Sequence, residues 1–251
     1  VAEFLSRECS LQSIRSMAQY RKGCSEEMWQ DITKMGWLGL PFPEQYGGAG
    51  GNFMDLAALL EETGRALAPG PIFSTVVLGG LTILTDANET RKNQLIPPII
   101  SGETVATVAL VEPHGDFDAK NVNMEASLIG NEWLVNGTKL FVPDALSADI
   151  LITAVRTSES SDPENGVTVL LIPGSCRGVS IVPHKTEGVD KLAEVRFDSV
   201  RIPDSDILGH VGEGWPIMRR MLERAAAAKC VEMSGGAQAV LRMTLDHLKR
   251  R

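Results

Sequence analysis

Ser127-Leu128-Ile129-Gly130-Asn131-Glu132-Trp133-Leu134-Val135-Asn136-Gly137-Thr138-Lys139-Leu140-Phe141-Val142 is the stretch on which the fold turns. Three short runs of aliphatic, aromatic and β-branched residues are separated by Gly130-Asn131 and by Asn136-Gly137. Both dipeptides suit the tight turns of hairpins, because Gly and Asn adopt the positive φ those turns require. The spacing predicts three strands in two consecutive hairpins: 127–129, 132–135 and 138–142. Parallel strands would need a crossover of about a dozen residues between them. The stretch therefore reads as antiparallel sheet and not as βαβ units.

The alternating pattern extends in the C-terminal direction. Val167–Ile172 reads as a buried strand. Ala193, Val195 and Phe197 alternate with Glu194, Arg196 and Asp198, giving one apolar and one polar face. Val200 and Ile202 continue the alternation after a phase shift at Ser199.

On the N-terminal side the period becomes helical. Ser25 is placed to cap a helix over 25–37, with Glu26 and Glu27 in its first turn and Met28, Trp29, Ile32 and Met35 at helical spacing. The proline- and glycine-dense run Pro41–Gly51 breaks it. Leu56, Leu59, Leu60, Thr63 and Leu67 then form one stripe of a second helix, with Glu61 and Arg65 paired on another face. Two further helical stretches, 72–84 and 89–100, flank a turn at Asp86-Ala87-Asn88. From Trp215 to Arg251 the chain is rich in Ala, Leu and Met, with no proline after Pro216. That is one long helix with no partner of its own in this last segment. The expected architecture is α+β and multidomain. It comprises an N-terminal α-helical domain over 1–103, a middle antiparallel β domain over 104–210 and the start of a C-terminal helical bundle over 211–251.

Composition narrows the function. The 251 residues carry a formal net charge of −8, and 43% are hydrophobic, as in an ordinary soluble globular protein. The acidic balance argues against nucleic acid as a partner, since such binders present a basic face. No apolar run approaches the roughly 20 residues that span a bilayer, so membrane insertion is not expected. Cys9, Cys24, Cys176 and Cys230 form no CxxC pair, and His114, His184, His210 and His247 are equally dispersed. These eight read as packing or surface residues, with no metal site and a reducing compartment. The chain opens at Val1 without an initiator Met and is still helical at Arg251, which suggests a piece of a longer frame.

The Gly47–Gly51 run is no dinucleotide loop. Phe53 stands where a third glycine would be needed, and Pro41-Phe42-Pro43 precedes it in place of a strand. It reads as a connector between helices.

Five strings in order carry a resemblance. They are Trp37-Leu38-Gly39-Leu40-Pro41-Phe42-Pro43-Glu44-Gln45-Tyr46-Gly47-Gly48-Ala49-Gly50, Leu60-Glu61-Glu62-Thr63-Gly64-Arg65, Val108-Ala109-Leu110-Val111-Glu112-Pro113, Val195–Pro203 followed by Leu208-Gly209, and Gly212-Glu213-Gly214-Trp215. Together they resemble the acyl-CoA dehydrogenase family over essentially the whole chain. The resemblance implies FAD held between the β domain and the C-terminal helices, with an acyl-CoA thioester entering the same cleft. A carboxylate would remove the α-proton while flavin takes hydride from the β-carbon, giving a trans-2-enoyl-CoA. Electrons would pass to an electron-transfer flavoprotein. It further implies a homo- or hetero-oligomer, in bacterial cytoplasm or the mitochondrial matrix.

Residue by residue, the resemblance assigns cofactor contact to Ala109, Leu110 and Val111 and to Phe141, Val142 and Pro143, and substrate contact to Phe117 and Arg224. Several positions depart from the family pattern. Val111 and Pro143 replace threonines, Phe117 a serine and Phe141 a tryptophan. Three hydroxyls are thereby lost, and Pro143 also lacks an N–H. Most members carry the catalytic base at a position that would lie beyond Arg251. Glu223 is a candidate on the helix present here, but it falls about two residues early, roughly 200° of rotation from the required face. Selectivity for the acyl group is expected in the 72–84 stretch. Two alternatives keep the fold: a non-catalytic or half-site partner subunit of a heteromeric dehydrogenase, and an acyl-CoA oxidase or flavin monooxygenase.

Overall fold

The helix cap at Ser25 forms where the sequence places it. The structure, a computed structural model, describes residues 1–17, 19–113, 115–186 and 190–251. His114 thus lies outside the described residues. Short helices α1 (Ala2–Glu8) and α2 (Leu11–Met17) lead into α3 (Glu26–Lys34). Ser25 Oγ accepts from the Met28 N–H at 3.1 Å, and Met28, Trp29 and Ile32 form the buried face of α3. The Pro41–Gly51 connector holds only a 3-10 turn, Glu44–Tyr46. Helix α4 (Phe53–Ala66) starts in a reciprocal cap, Asn52 with Asp55. A π-helical segment, Phe73–Gly80, runs directly into α5 (Leu81–Asp86), and α6 (Glu89–Ile100) follows the expected turn.

The strands are β1 (Ala106–Ala109), β2 (Ala126–Ile129), β3 (Glu132–Pro143), β4 (Ile150–Arg156), β5 (Val167–Pro173), β6 (Val179–Pro183), β7 (Leu192–Pro203) and β8 (Ile207–Leu208). Among the described residues they form two four-stranded sheets, ordered β1-β4-β5-β8 and β2-β3-β7-β6. Every ladder is antiparallel except β1 with β4, which is parallel.

One expected hairpin forms and the other does not. Gly130, at φ 67°, turns β2 into β3 with Ile129 opposite Glu132. Asn136-Gly137 makes no turn; β3 runs through it, and the register on β7 shifts between Val135 and Gly137. The physical reason lies across the ladder. Ser199, at φ 54°, is irregular in β7, and its N–H donates to Asn136 Oδ1 at 2.7 Å. The polar side chain thus satisfies the amide that the bulge leaves unpaired. Gly137, at φ 146°, lies so close to Met124 that an added Cβ would stand 2.4 Å from Met124 Cγ. The phase shift at Ser199 is this same bulge seen from the other strand.

The last helix, α7 (Trp215–Lys249), finds its partner outside its own segment, in the N-terminal helices. It lies on α4 through two glycines. A Cβ at Gly64 would stand 2.0 Å from the Glu232 carbonyl oxygen, and one at Gly235 would stand 1.9 Å from that of Glu61. Trp215, Ile217, Met218, Met221 and Ala228 of α7 are buried, whereas Leu241, Met243, Leu245 and Leu248 are exposed. No described helix is long and apolar enough to cross a membrane.

Candidate functional site

Two stretches, Ala109–Val111 and Phe141–Pro143, lie side by side. The Leu140 N–H donates to the Val111 carbonyl at 2.8 Å, and Thr107 Oγ1 donates to the Pro143 carbonyl at 2.7 Å. A buried ion pair fixes the junction. Lys139 Nζ donates to Glu112 Oε1 at 2.6 Å and to the Leu110 carbonyl at 3.1 Å. The Glu112 carboxylate also accepts from the N–H groups of Asn123 and Met124. Burial pulls the Lys139 ammonium down to about 8, an effect that the adjacent Glu112 charge opposes.

Ala109, Leu110 and Val142 are buried in this junction, while Val111 and Pro143 are half-buried. Phe141 is different. It takes φ 53° in mid-strand and is 55% exposed, presenting its ring at the surface of the sheet. The His184 ring lies 5.2 Å away, tilted by 36°. His184 Nε2 is buried without a hydrogen-bond partner, and the Val111 N–H donates to no described group. One unfilled polar position, His184 Nε2, thus lies on a ring beside the exposed Phe141.

Beyond Pro143 the chain enters a cavity of about 310 Å³, at the lower end of the range for small-molecule sites. Its walls include Phe73 and Ser74 of the π-helical segment, Pro143 and Asp144 at the end of β3, and Lys229 of α7. Asp144 sits at φ 52°, a left-handed conformation that Asp tolerates better than most residues. Its N–H donates to the Lys191 carbonyl at 2.6 Å, and Ser74 Oγ lies 2.5 Å from Oδ2. Burial pushes the Asp144 carboxyl up to about 6, with the Ser74 hydrogen bond pulling the other way. The Lys229 ammonium stands 4.0 Å from the centre of the Phe73 ring and pairs with Glu232.

Three sequence candidates do not line this cavity. Phe117 is 63% exposed on its loop. Glu223 is exposed on α7, as its early position on the helix implies. Arg224 commits its guanidinium to Thr82 Oγ1 at 2.7 Å and to the Val77 carbonyl at 3.4 Å. Burial there lowers its pKa to about 10. Conversely, Asp144, His184 and Lys229 went unrecognised in the sequence. Asp144 directly follows Pro143, so the strand end itself was a signal; His184 and Lys229 carry none that spacing reveals. Cys9 and Cys24 are poor nucleophiles, since burial raises them to about 11 and about 12.

Two family models match consecutive parts of the chain. Residues 1–103 match the family model "Acyl-CoA dehydrogenase, N-terminal domain", and residues 107–200 match "Acyl-CoA dehydrogenase, middle domain". A probable acyl-CoA dehydrogenase, YngJ of Bacillus subtilis, is 29% identical over 230 residues, covering 90% of this chain and 60% of its own length. The crystal structure of an acyl-CoA dehydrogenase from Geobacillus kaustophilus superposes with a TM-score of 0.91 at 22% identity, covering all of this chain (100%) and 67% of its own. One from Bacillus anthracis, complexed with FAD, gives 0.89 at 24% identity, over 100% of this chain and 44% of its own. The chain therefore spans about 60% of the length of a curated relative it matches.

Proposed function

The chain belongs to the acyl-CoA dehydrogenase family, and from that membership we propose that it supplies the cofactor shelf and acyl cavity of a flavin-dependent enzyme. The reaction is α,β-dehydrogenation of an acyl-CoA thioester to the trans-2-enoyl-CoA, with electrons passed to an electron-transfer flavoprotein. The observation that carries this reading is the 2.8 Å bond from the Leu140 N–H to the Val111 carbonyl, which sets the two nominated stretches side by side, with Pro143 of the second on the wall of the adjoining cavity.

The residues present fit a planar, largely apolar ring held by backbone groups. Phe141 offers its exposed ring for stacking. His184 Nε2 is the unpartnered polar atom on the ring beside it, and the Val111 N–H donates to no described group. Val142 and Pro143 would close the edge nearest the cavity. The chemistry FAD supplies when bound is acceptance of hydride from the β-carbon, which no side chain provides. The chain's own part is orientation and exclusion of water. Phe73, Ile72 and Leu78 give the cavity apolar walls, so a thioester tail is desolvated beside the shelf. Removal of the α-proton needs a carboxylate; Glu223, exposed and outside the cavity, is assigned no part in it.

The test is anaerobic mixing of the FAD-loaded, full-length protein with acyl-CoAs of graded length. Bleaching of the visible flavin band, with enoyl-CoA formed, is the expected result. Bound FAD that no acyl-CoA reduces would sink the catalytic reading.

A second reading, a non-catalytic partner subunit, draws on one observation. The carbonyls of Leu110, Val111 and Pro143 are all taken by Lys139, Leu140 and Thr107, and residues 111, 117 and 143 bear no hydroxyl. Flavin hydrogen bonding is thereby left to few groups. Activity of the protein as a lone homo-oligomer would exclude this reading.

A further inference from the structure

The cavity beside the shelf is not uniformly apolar. Phe73, Ile72, Leu78 and Leu60 supply hydrocarbon walls, while Ser74 and Asp144, also on the wall, are hydrogen-bonded to each other at 2.5 Å. Ser74 has a single proton to give, and its hydroxyl also lies 3.2 Å from the Pro71 carbonyl. Asp144 accepts that one bond at Oδ2, and its Oδ1 accepts none among the described residues. An ionised carboxylate has about four acceptor positions, so most of this one's capacity is unspent.

The two lysines on the wall have their own partners. Lys229 is held by Glu232 and by the Phe73 ring, and Lys191 also engages other groups. Asp190 and Glu232 add further negative charge, so an acidic tail would meet repulsion there. A plain alkyl tail would leave the Asp144 oxygen desolvated and unpaired, which is costly. A tail that donates a hydrogen bond resolves both conflicts.

We propose that Asp144, held by Ser74, is a specificity residue that selects acyl groups bearing a hydroxyl, which donates to the free carboxylate oxygen inside the cavity. The inference rests on the acyl-CoA reading above and names the substrate class for the same site.

The probes are CoA thioethers, which lack the thioester carbonyl and so bind without reacting. A series with the hydroxyl moved along the chain is compared with unsubstituted thioethers of equal length, by calorimetry on the full-length protein. At least one hydroxylated member should bind about 10- to 150-fold more tightly than its plain counterpart, the range for a hydrogen bond to a charged group. Asp144→Ala should erase that preference. Asp144→Asn, which keeps shape and tolerates the left-handed backbone, should shrink it severalfold. Equal binding of every matched pair by the wild-type protein would overturn the proposal, as would a preference unchanged in both variants. Failure of all thioethers to bind would instead remove the acyl-CoA reading and the inference with it.

Discussion

Lys139 Nζ lies 2.6 Å from Glu112 Oε1 in a site closed to solvent, and this pair ties the end of the first strand to the middle of the third. The two stretches proposed to hold the cofactor lie close to these residues in sequence, Leu110-Val111 directly before Glu112 and Phe141-Val142 two residues after Lys139. The pair therefore fixes the geometry of the shelf without forming its surface.

Breaking the pair on one side should be severe. Lys139→Met leaves the Glu112 carboxylate buried with only the Asn123 and Met124 amides, and should cost about 3–5 kcal/mol in urea unfolding. Glu112→Gln, which keeps an acceptor for those amides, should cost less. A loss under 1 kcal/mol for Lys139→Met, on the scale of an exposed pair, would contradict the stated role.

Helix α7 depends on glycine at its crossing with α4. Gly64→Ala or Gly235→Ala would drive a methyl into the facing backbone, at 2.0 and 1.9 Å from carbonyl oxygens. Overpacking against backbone should cost about 3 kcal/mol in each case, and the helices should move apart. Because Lys229 and Glu232 lie on the same stretch of α7, ligand affinity should fall along with melting temperature. Unchanged stability in either variant would refute the close crossing.

Asn136→Ala tests the bulge. The substitution strands the Ser199 N–H, now served by Asn136 Oδ1 at 2.7 Å, and should cost about 1 kcal/mol by denaturant titration. A hairpin turn at this position would instead leave Ser199 indifferent to the change.

Asp144 gives a pH signature. Its carboxyl is raised from the ordinary 3.8 to about 6 by burial, so the folded state holds a proton that the unfolded state has released between those values. Stability should therefore fall as pH rises from about 4 to about 6, and stay lower above that, by about 2–3 kcal/mol at most. The groups facing Asp144 are Ser74, Asp190, Lys191 and Lys229. Asp144→Asn should flatten this slope and unfold later than wild type at pH 7, with little difference at pH 4. A slope that survives in Asp144→Asn would assign the titration to another group.

Much of the fold was legible because its signals are local. Ser25 and the helical stripes on either side of Pro41–Gly51 needed no knowledge of distant residues. What misled were positions where a distant strand or helix decides. Asn136-Gly137 has hairpin chemistry, but Ser199, 63 residues away, turns it into a bulge. Gly64 and Gly235 look like helix weaknesses until the two helices are laid together. At the site, the adjacency of Val111 and Val142 was expected from the family resemblance alone, whereas the convergence of Asp144, Ser74 and Lys229 from three separate elements left no periodic trace.

The most direct test of the central claim is a visible-absorbance titration of the full-length protein, stripped of ligand, with FAD. A cofactor shelf built on Val111 and Phe141 predicts saturable, stoichiometric uptake that weakens about tenfold in Phe141→Ala, as loss of one aromatic contact implies. Absence of any uptake, or uptake indifferent to Phe141, would contradict the account.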